Sequence, residues 1–247
     1  MNNAQNLKVK LFADGADLKV IAQMTKNPLI KGFTTNPTLM RKSGVTDYKA
    51  FAQEVLKIVP DLPISFEVFS DDFSEMEEQA MEIASWGKNV YVKIPVTNTK
   101  AEFSGALVKQ LASSGVQVNV TALMTTRQVE EVLKCLSNRT SSYVSVFAGR
   151  VADTGRDPMP LMAESVKILK ANPKAELIWA SPRELLNVFQ ADAVGCHIIT
   201  ATHDVLAKLA LVGKDLDDFS LDTVKMFFQD AASAKFAIQT GKKAVAS

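Results

Sequence analysis

Lys93, Asp14 and Glu67 are the residues whose chemistry asks for explanation, because each falls at or near the end of a short apolar run. Lys93 lies in Val90-Tyr91-Val92-Lys93-Ile94, closed by Pro95. Val90, Val92 and Ile94 alternate with Tyr91 and Lys93, which is the period of a strand with one apolar face. Proline ends the strand just beyond the lysine. Burial of such an amine disfavours its charged form and frees it to attack a carbonyl as a nucleophile. Lys93 is therefore a candidate for Schiff-base formation, against the competing reading of a strand-end lysine that snorkels to water. Asp14 and Glu67 supply two carboxylates able to move protons onto and off a leaving oxygen and an intervening water.

The elements that must hold these groups follow from the same alternation. Strands are expected at 8–14, 29–34, 64–69, 89–97, 116–121, 143–147, 176–181 and 193–200. Helices are expected at about 17–26, 46–59, 73–86, 100–114, 125–137, 158–171, 183–190 and 202–211, with a last one at about 221–240. Strand and helix alternate without a linker or low-complexity stretch. The pattern fits α/β architecture, a single (β/α)8 TIM barrel over 1–247 with 214–247 as a C-terminal helical extension. An open doubly wound sheet is the alternative, because one misplaced strand changes the count.

Composition narrows the chemistry. Net charge is +1, without a basic run, and aromatic residues make up 7% of the chain, so neither nucleic acid nor a membrane surface is expected as a partner. No apolar stretch approaches transmembrane length, and residues 1–7 lack the features of a signal peptide. Cys135 and Cys196 sit in apolar patterns and read as reduced core residues of a cytoplasmic protein. His197 and His203 are the only histidines, and no metal or nucleotide motif is present. The expectation is chemistry by side chains alone, with no cofactor and no metal. Both histidines read as structural.

The strand ends then form a pattern. Asp14, Asn36, Glu67, Lys93, Asn119 with Thr121, Arg150 and Ser181 put a polar or charged group at the carboxyl end of strand after strand. That rim is where this fold places its active sites. Leaving such groups buried and unpaired would cost roughly 2–7 kcal/mol each, so a polar interior there needs a use. Asn36 and Asn119 can hold hydroxyls of a small polyol, and Thr121 can position a carboxylate or a water. Arg150, Ser181 and Arg183 can clamp an anion. Ser65 and Glu67 share one face of the third strand; Trp179 and Ser181 are placed on one inward face of the seventh. The set points to carbon–carbon bond cleavage in a phosphorylated sugar through an imine.

The chain resembles the transaldolase family of Schiff-base aldolase barrels. The matching stretches are Leu11–Asp14, Thr34-Thr35-Asn36-Pro37-Thr38, Phe66-Glu67-Val68, Val92–Thr97, Val118–Thr121, Ser145–Arg150 and Ala180-Ser181-Pro182-Arg183. The resemblance implies that Lys93 forms the imine and Asp14 acts on the hydroxyl beside the bond being cut. It implies that Glu67 and Thr121 manage a catalytic water. Asn36 and Asn119 would hold the dihydroxyacetone fragment, Thr34 would be among the substrate-binding residues, Ser145 and Phe147 would line the site, and Arg150, Ser181 and Arg183 would bind phosphate. Fructose-6-phosphate aldolases of the same family usually carry Gln where Glu67 stands and Tyr where Phe147 stands. This chain is similar to the transaldolases at both places. The resemblance thus implies a transaldolase acting in the pentose phosphate pathway on sugar phosphates. An aldolase that releases dihydroxyacetone, or a non-catalytic sugar-phosphate-binding barrel, is the alternative. It also implies a homo-oligomer, since the last helix carries Met226, Phe227, Phe228, Phe236 and Ile238 and must pack that apolar side on something.

Overall fold

Alternation sorts the strand side chains into two populations, and closing the sheet on itself is what buries both. In the computed structural model, which describes residues 6–238, the strands pair in parallel and in chain order, and the eighth returns to the first. The order is β1 (Lys10–Asp14), α1 (Leu18–Met24), β2 (Ile30–Thr34), α2 (Pro37–Lys42), α3 (Tyr48–Ile58), β3 (Ile64–Glu67), α4 (Phe73–Ser85) and β4 (Val90–Pro95). It continues with α5 (Gly105–Ser113), β5 (Val118–Leu123), α6 (Thr126–Leu133), β6 (Ser142–Val146), α7 (Ala148–Ala152), α8 (Met159–Leu169) and β7 (Ala175–Trp179). Last come α9 (Leu186–Ala193), β8 (Ile198–Thr202), α10 (His203–Ala207) and α11 (Leu216–Ser233). The seam from Lys10↔Ile198 to Asp14↔Thr202 makes this a closed (β/α)8 barrel and sets the open sheet aside. Two compact units divide the chain: Ala4–Ala210 holds the barrel, and the segment from Leu211 belongs to the other.

Helix starts are written in the sequence. Asp17, Asp47, Asp72 and Asp215 each accept backbone N–H bonds at an N-terminus, and Thr125 with Gln128 forms a full capping box. The outward strand residues, Val90, Val92, Ile94, Val118, Val120, Val144 and Val146 among them, join the helices in one continuous core. A second cluster fills the barrel itself: Phe12, Tyr91, Tyr143, Ile178, Ala180 and Ile198. Tyr91 and Tyr143 stack with centroids 3.9 Å apart, and Phe12 meets Tyr143 edge-on. Gly32 makes room for that plug, since a Cβ there would come within 2.5 Å of the Phe12 ring. In four strands the plug residue precedes a polar one on the same face: Phe12 and Asp14, Tyr91 and Lys93, Tyr143 and Ser145, Ile198 and Thr200. The apolar layer floors the barrel, and the polar layer stands on it.

Several expected boundaries move. The helix expected from 100 begins at Gly105. The Asn98 side-chain Oδ1 accepts the N–H groups of Lys100 and Glu102, Ala101 takes a φ of 62°, and Thr97 bridges Phe103. The strand expected at 193–200 is Ile198–Thr202, because α9 runs on to Ala193 and Gly195 turns the chain at φ 74°. The last helix starts at Leu216, earlier than expected, on the Asp215 cap and ends at Ser233; the expected residues 239–240 lie outside the described residues. Helices α2 and α7 are short and were not expected. Strand seven also inverts its expected faces: Trp179 packs outward with the helices, and Ile178 and Ala180 point in. Its run Ala175-Glu176-Leu177-Ile178-Trp179 has too little polar contrast to phase an alternation.

Candidate active site

Register brings the ionisable groups together. Glu67 is paired with Lys93 across β3 and β4, and Lys93 with Asn119 across β4 and β5. Adjacent in-register residues of a parallel sheet point to the same face, so these three side chains converge. Lys93 is 6% exposed, and its Nζ lies 2.9 Å from Glu67 Oε2. The same Nζ donates to the Thr35 carbonyl oxygen at 2.8 Å. A buried amine needs hydrogen-bond partners, and here a side-chain carboxylate and a backbone carbonyl provide them.

Asp14 closes β1 on the other side of the floor. Its Oδ1 accepts the Thr34 hydroxyl at 2.8 Å, and its Oδ2 accepts the Asn36 amide at 3.3 Å. Thr34 Oγ1 is in turn 2.5 Å from Thr200 Oγ1. Burial pushes the Asp14 carboxyl above its usual range; Lys93, Thr34 and Asn36 pull it down by less, and Glu67 adds a smaller push upward. Asn36 works at two jobs, because its Oδ1 also caps α2 by accepting the Leu39 N–H. Asn119 is held from both sides: Ser145 donates to its Oδ1 at 2.7 Å, and its Nδ2 donates to Ser65 at 3.0 Å. One amide hydrogen of Asn119 remains for the cavity. Thr121 Oγ1 is buried with no hydrogen-bond partner among the described residues, which is uncommon for a buried hydroxyl.

The opposite wall is built on α7 and the turn after β7. Arg150 lies over the Phe147 ring, 5.5 Å from its centroid. Arg183 forms a two-pronged pair with Asp153, one arm at 2.9 Å, which holds the Asp153 carboxyl below its usual range. Ser181 adopts a φ of 60°. That conformation breaks the strand alternation and turns Ser181 into the cavity, although Trp179 on its expected face points away. Gly149 is what lets the turn close, since its missing Cβ would stand 1.5 Å from the Ser181 carbonyl oxygen.

The sequence-predicted residues Asp14, Thr34, Asn36, Glu67, Lys93, Asn119, Thr121, Ser145, Phe147, Arg150, Ser181 and Arg183 all line one cavity of about 400 Å³ at the carboxyl ends of the strands. Thr200 and Thr202 line it too and were missed. The Ile198, Thr200, Thr202 alternation carries the signal, but an early boundary for strand eight hid it. The Thr35 carbonyl had no signal to read, being backbone. Among the described residues no group of three or more His, Cys, Asp or Glu side chains could hold a metal ion. The histidines lie apart from the cavity lining: His197 Nδ1 accepts the Leu177 N–H at 3.0 Å, and His203 opens α10 with its Nδ1 buried and unpartnered among the described residues. Cys135 and Cys196 are both free. No described helix is long and apolar enough to cross a membrane.

Comparison with known proteins gives the fold and the family. A solved mandelate oxidase mutant shares the fold, with a TM-score of 0.55 over 88% of this chain and 75% of that one, at 11% identity. A protein of Dehalococcoides mccartyi named "Probable transaldolase" is 35% identical over 81% of this chain and 90% of its own length. Its namesake from Streptococcus agalactiae is 34% identical over 87% of this chain and 97% of its own. The family model described as Transaldolase/Fructose-6-phosphate aldolase matches residues 11–246, which takes in all strand residues of the barrel but Lys10 and every residue lining the cavity. The chain belongs to the transaldolase/fructose-6-phosphate aldolase family.

Proposed function

We propose that this protein is a transaldolase that carries a dihydroxyacetone unit from a ketose phosphate to an aldose phosphate on Lys93. The observation that carries the reading is a buried amine 2.9 Å from the Glu67 carboxylate, in a cavity whose opposite wall bears Arg150 and Arg183. The amine adds to the ketose carbonyl, and Glu67 passes the proton that lets water leave, giving the imine. The unpartnered hydroxyl of Thr121 is where that water is held. Asp14 takes the proton from the hydroxyl beside the scissile bond; the bond breaks, the aldose phosphate departs, and its electrons stay as an enamine on Lys93. Asn36 and Asn119 hold the enamine until an acceptor aldehyde arrives and the steps run in reverse. Covalent capture divides one difficult transfer into two easier ones. The guanidinium groups face the substrate's phosphate end. The pentose phosphate pathway supplies and consumes substrates of this kind.

The residues at 67 and 147 favour transfer over release of free dihydroxyacetone. The apolar residues of α11, Phe227 and Phe228 among them, are exposed, which supports assembly into a homo-oligomer; a monomer in light scattering at micromolar concentration would remove that support. The decisive assay supplies fructose 6-phosphate with and without erythrose 4-phosphate and follows glyceraldehyde 3-phosphate. Product only with the acceptor is expected. Product without it, with free dihydroxyacetone, makes the protein an aldolase instead. Binding of the ketose phosphate with no borohydride-trapped adduct makes it a non-catalytic binder.

A further inference from the structure

The ladder between β2 and β3 stops one step early, and it stops beside Lys93. Phe33 N–H donates to the Pro63 carbonyl at 2.8 Å, and Thr35 N–H donates to the Ser65 carbonyl at 3.1 Å. In a regular parallel ladder the next bond runs from the Glu67 N–H to the Thr35 carbonyl. That bond is not made. The Thr35 carbonyl accepts the Lys93 amine instead. Glu67 turns to Tyr48, the first residue of α3: its N–H donates to the Tyr48 hydroxyl at 2.7 Å, and the hydroxyl donates to its carbonyl at 3.0 Å. One phenol thus replaces an entire strand neighbour, as acceptor and donor at once. Burial pushes the Tyr48 hydroxyl above its ordinary range, so it keeps the proton that it donates. Aromatic neighbours fix its ring, with Phe66 at 6.1 Å, Phe69 at 4.6 Å and Trp86 at 5.5 Å between centroids.

We propose that the Tyr48 hydroxyl is a positioning group for the Lys93–Glu67 pair: by satisfying both backbone groups of Glu67 it leaves the Thr35 carbonyl free for the Lys93 amine and holds the Glu67 carboxylate against it. This inference rests on the reading of Lys93 as the imine former. Without the hydroxyl, the Glu67 N–H competes with the amine for the Thr35 carbonyl, and one of the two buried donors goes unpaired.

The test is Tyr48→Phe beside Trp86→Phe, a control that loosens the same aromatic cluster without touching the Glu67 backbone. Both are assayed below their melting temperatures for turnover and for borohydride-trapped adduct with fructose 6-phosphate. Tyr48→Phe is expected to slow trapping and kcat by roughly 10- to 100-fold, as small misplacements of reacting groups do, while KM stays within about twofold. Trp86→Phe is expected to lower Tm and leave kcat unchanged. Wild-type trapping rates in Tyr48→Phe, or a kcat that falls in both variants in step with Tm, would overturn the positioning role and leave Lys93 as the imine former. No adduct in the wild type would remove that reading of Lys93, and this inference with it. Should Tyr48→Phe fail to fold, 3-fluorotyrosine at position 48 keeps the ring, weakens the oxygen as an acceptor, and is read the same way with a smaller slowing.

Discussion

The two walls of the cavity are built on opposite terms. On the β1 to β4 side, Glu67 and Lys93 meet at 2.9 Å, Asp14 is bonded to Thr34 and Asn36, and the Lys93 side chain is only 7% exposed. Each is held by short bonds from strand residues or strand backbone. On the β6 to β7 side the guanidinium groups stand in the open: the Arg183 side chain is 48% exposed and already answered by Asp153, and Arg150 rests on an aromatic ring. The difference matches what the proposed mechanism asks of each wall. Proton transfer and carbonyl attack need fixed distances in a poorly hydrated place, where a small displacement is costly. Holding a hydrated anion needs charge and reach, and solvent weakens each contact there.

Substitutions can break or sharpen that contrast. The largest effect belongs to Lys93→Ala, which removes the proposed nucleophile; turnover should fall by several orders of magnitude and borohydride should trap no adduct. Normal turnover in that variant would end the imine reading. Asp14→Asn comes next, with kcat down by about 10²–10⁴ as for a lost general base, and it has a second signature. The folded carboxyl lies above its unfolded value, so its charged form is disfavoured in the native state and stability is lost as pH rises through that interval. At neutral pH the asparagine escapes this cost, and Tm should rise while activity falls. The wild-type rate should also decline at acid pH as Asp14 takes up a proton, a limb that Asp14→Asn lacks. A lower Tm in Asp14→Asn would mean that its bonds to Thr34 and Asn36 outweigh desolvation. The open wall should respond most gently. Arg150→Ala should raise KM for the phosphorylated ketose by roughly 10- to 100-fold, the value of a charged hydrogen bond. Arg183→Ala should raise it less, because that guanidinium must share itself with Asp153. Equal effects at the two arginines, or a loss of kcat at either, would blur the division between the walls.

The buried wall was also the more legible one. Lys93, Glu67 and Asp14 stand in strands with clear alternation, where an inward polar residue is conspicuous. The closed barrel followed from counting such strands, and each lining residue named from the sequence does face the cavity. What escaped has a common physical cause: it lies in backbone geometry rather than residue type. The apolar run of β7 hid its phase, and Ser181 reached the cavity through a left-handed φ that no period encodes. Thr202 fell beyond the expected end of strand eight, whose expected start ran across the Gly195 turn and left Thr200 without a phase. Tyr48 carries no mark in the sequence, since its place beside Glu67 depends on a ladder bond that another strand does not make.

The contact between Gly149 and Ser181 bears on how far this site could be remodelled. A carbonyl oxygen occupies the space of a side chain at position 149, so that position is closed to every residue with a Cβ unless the turn after β7 moves. The two segments that carry Arg150 and Arg183 are therefore one mechanical part. A library that seeks a different anion should vary side chains around this joint, at Phe147, Asp153 and Arg183, and treat residues 149 and 181 as a hinge pin to be left in place.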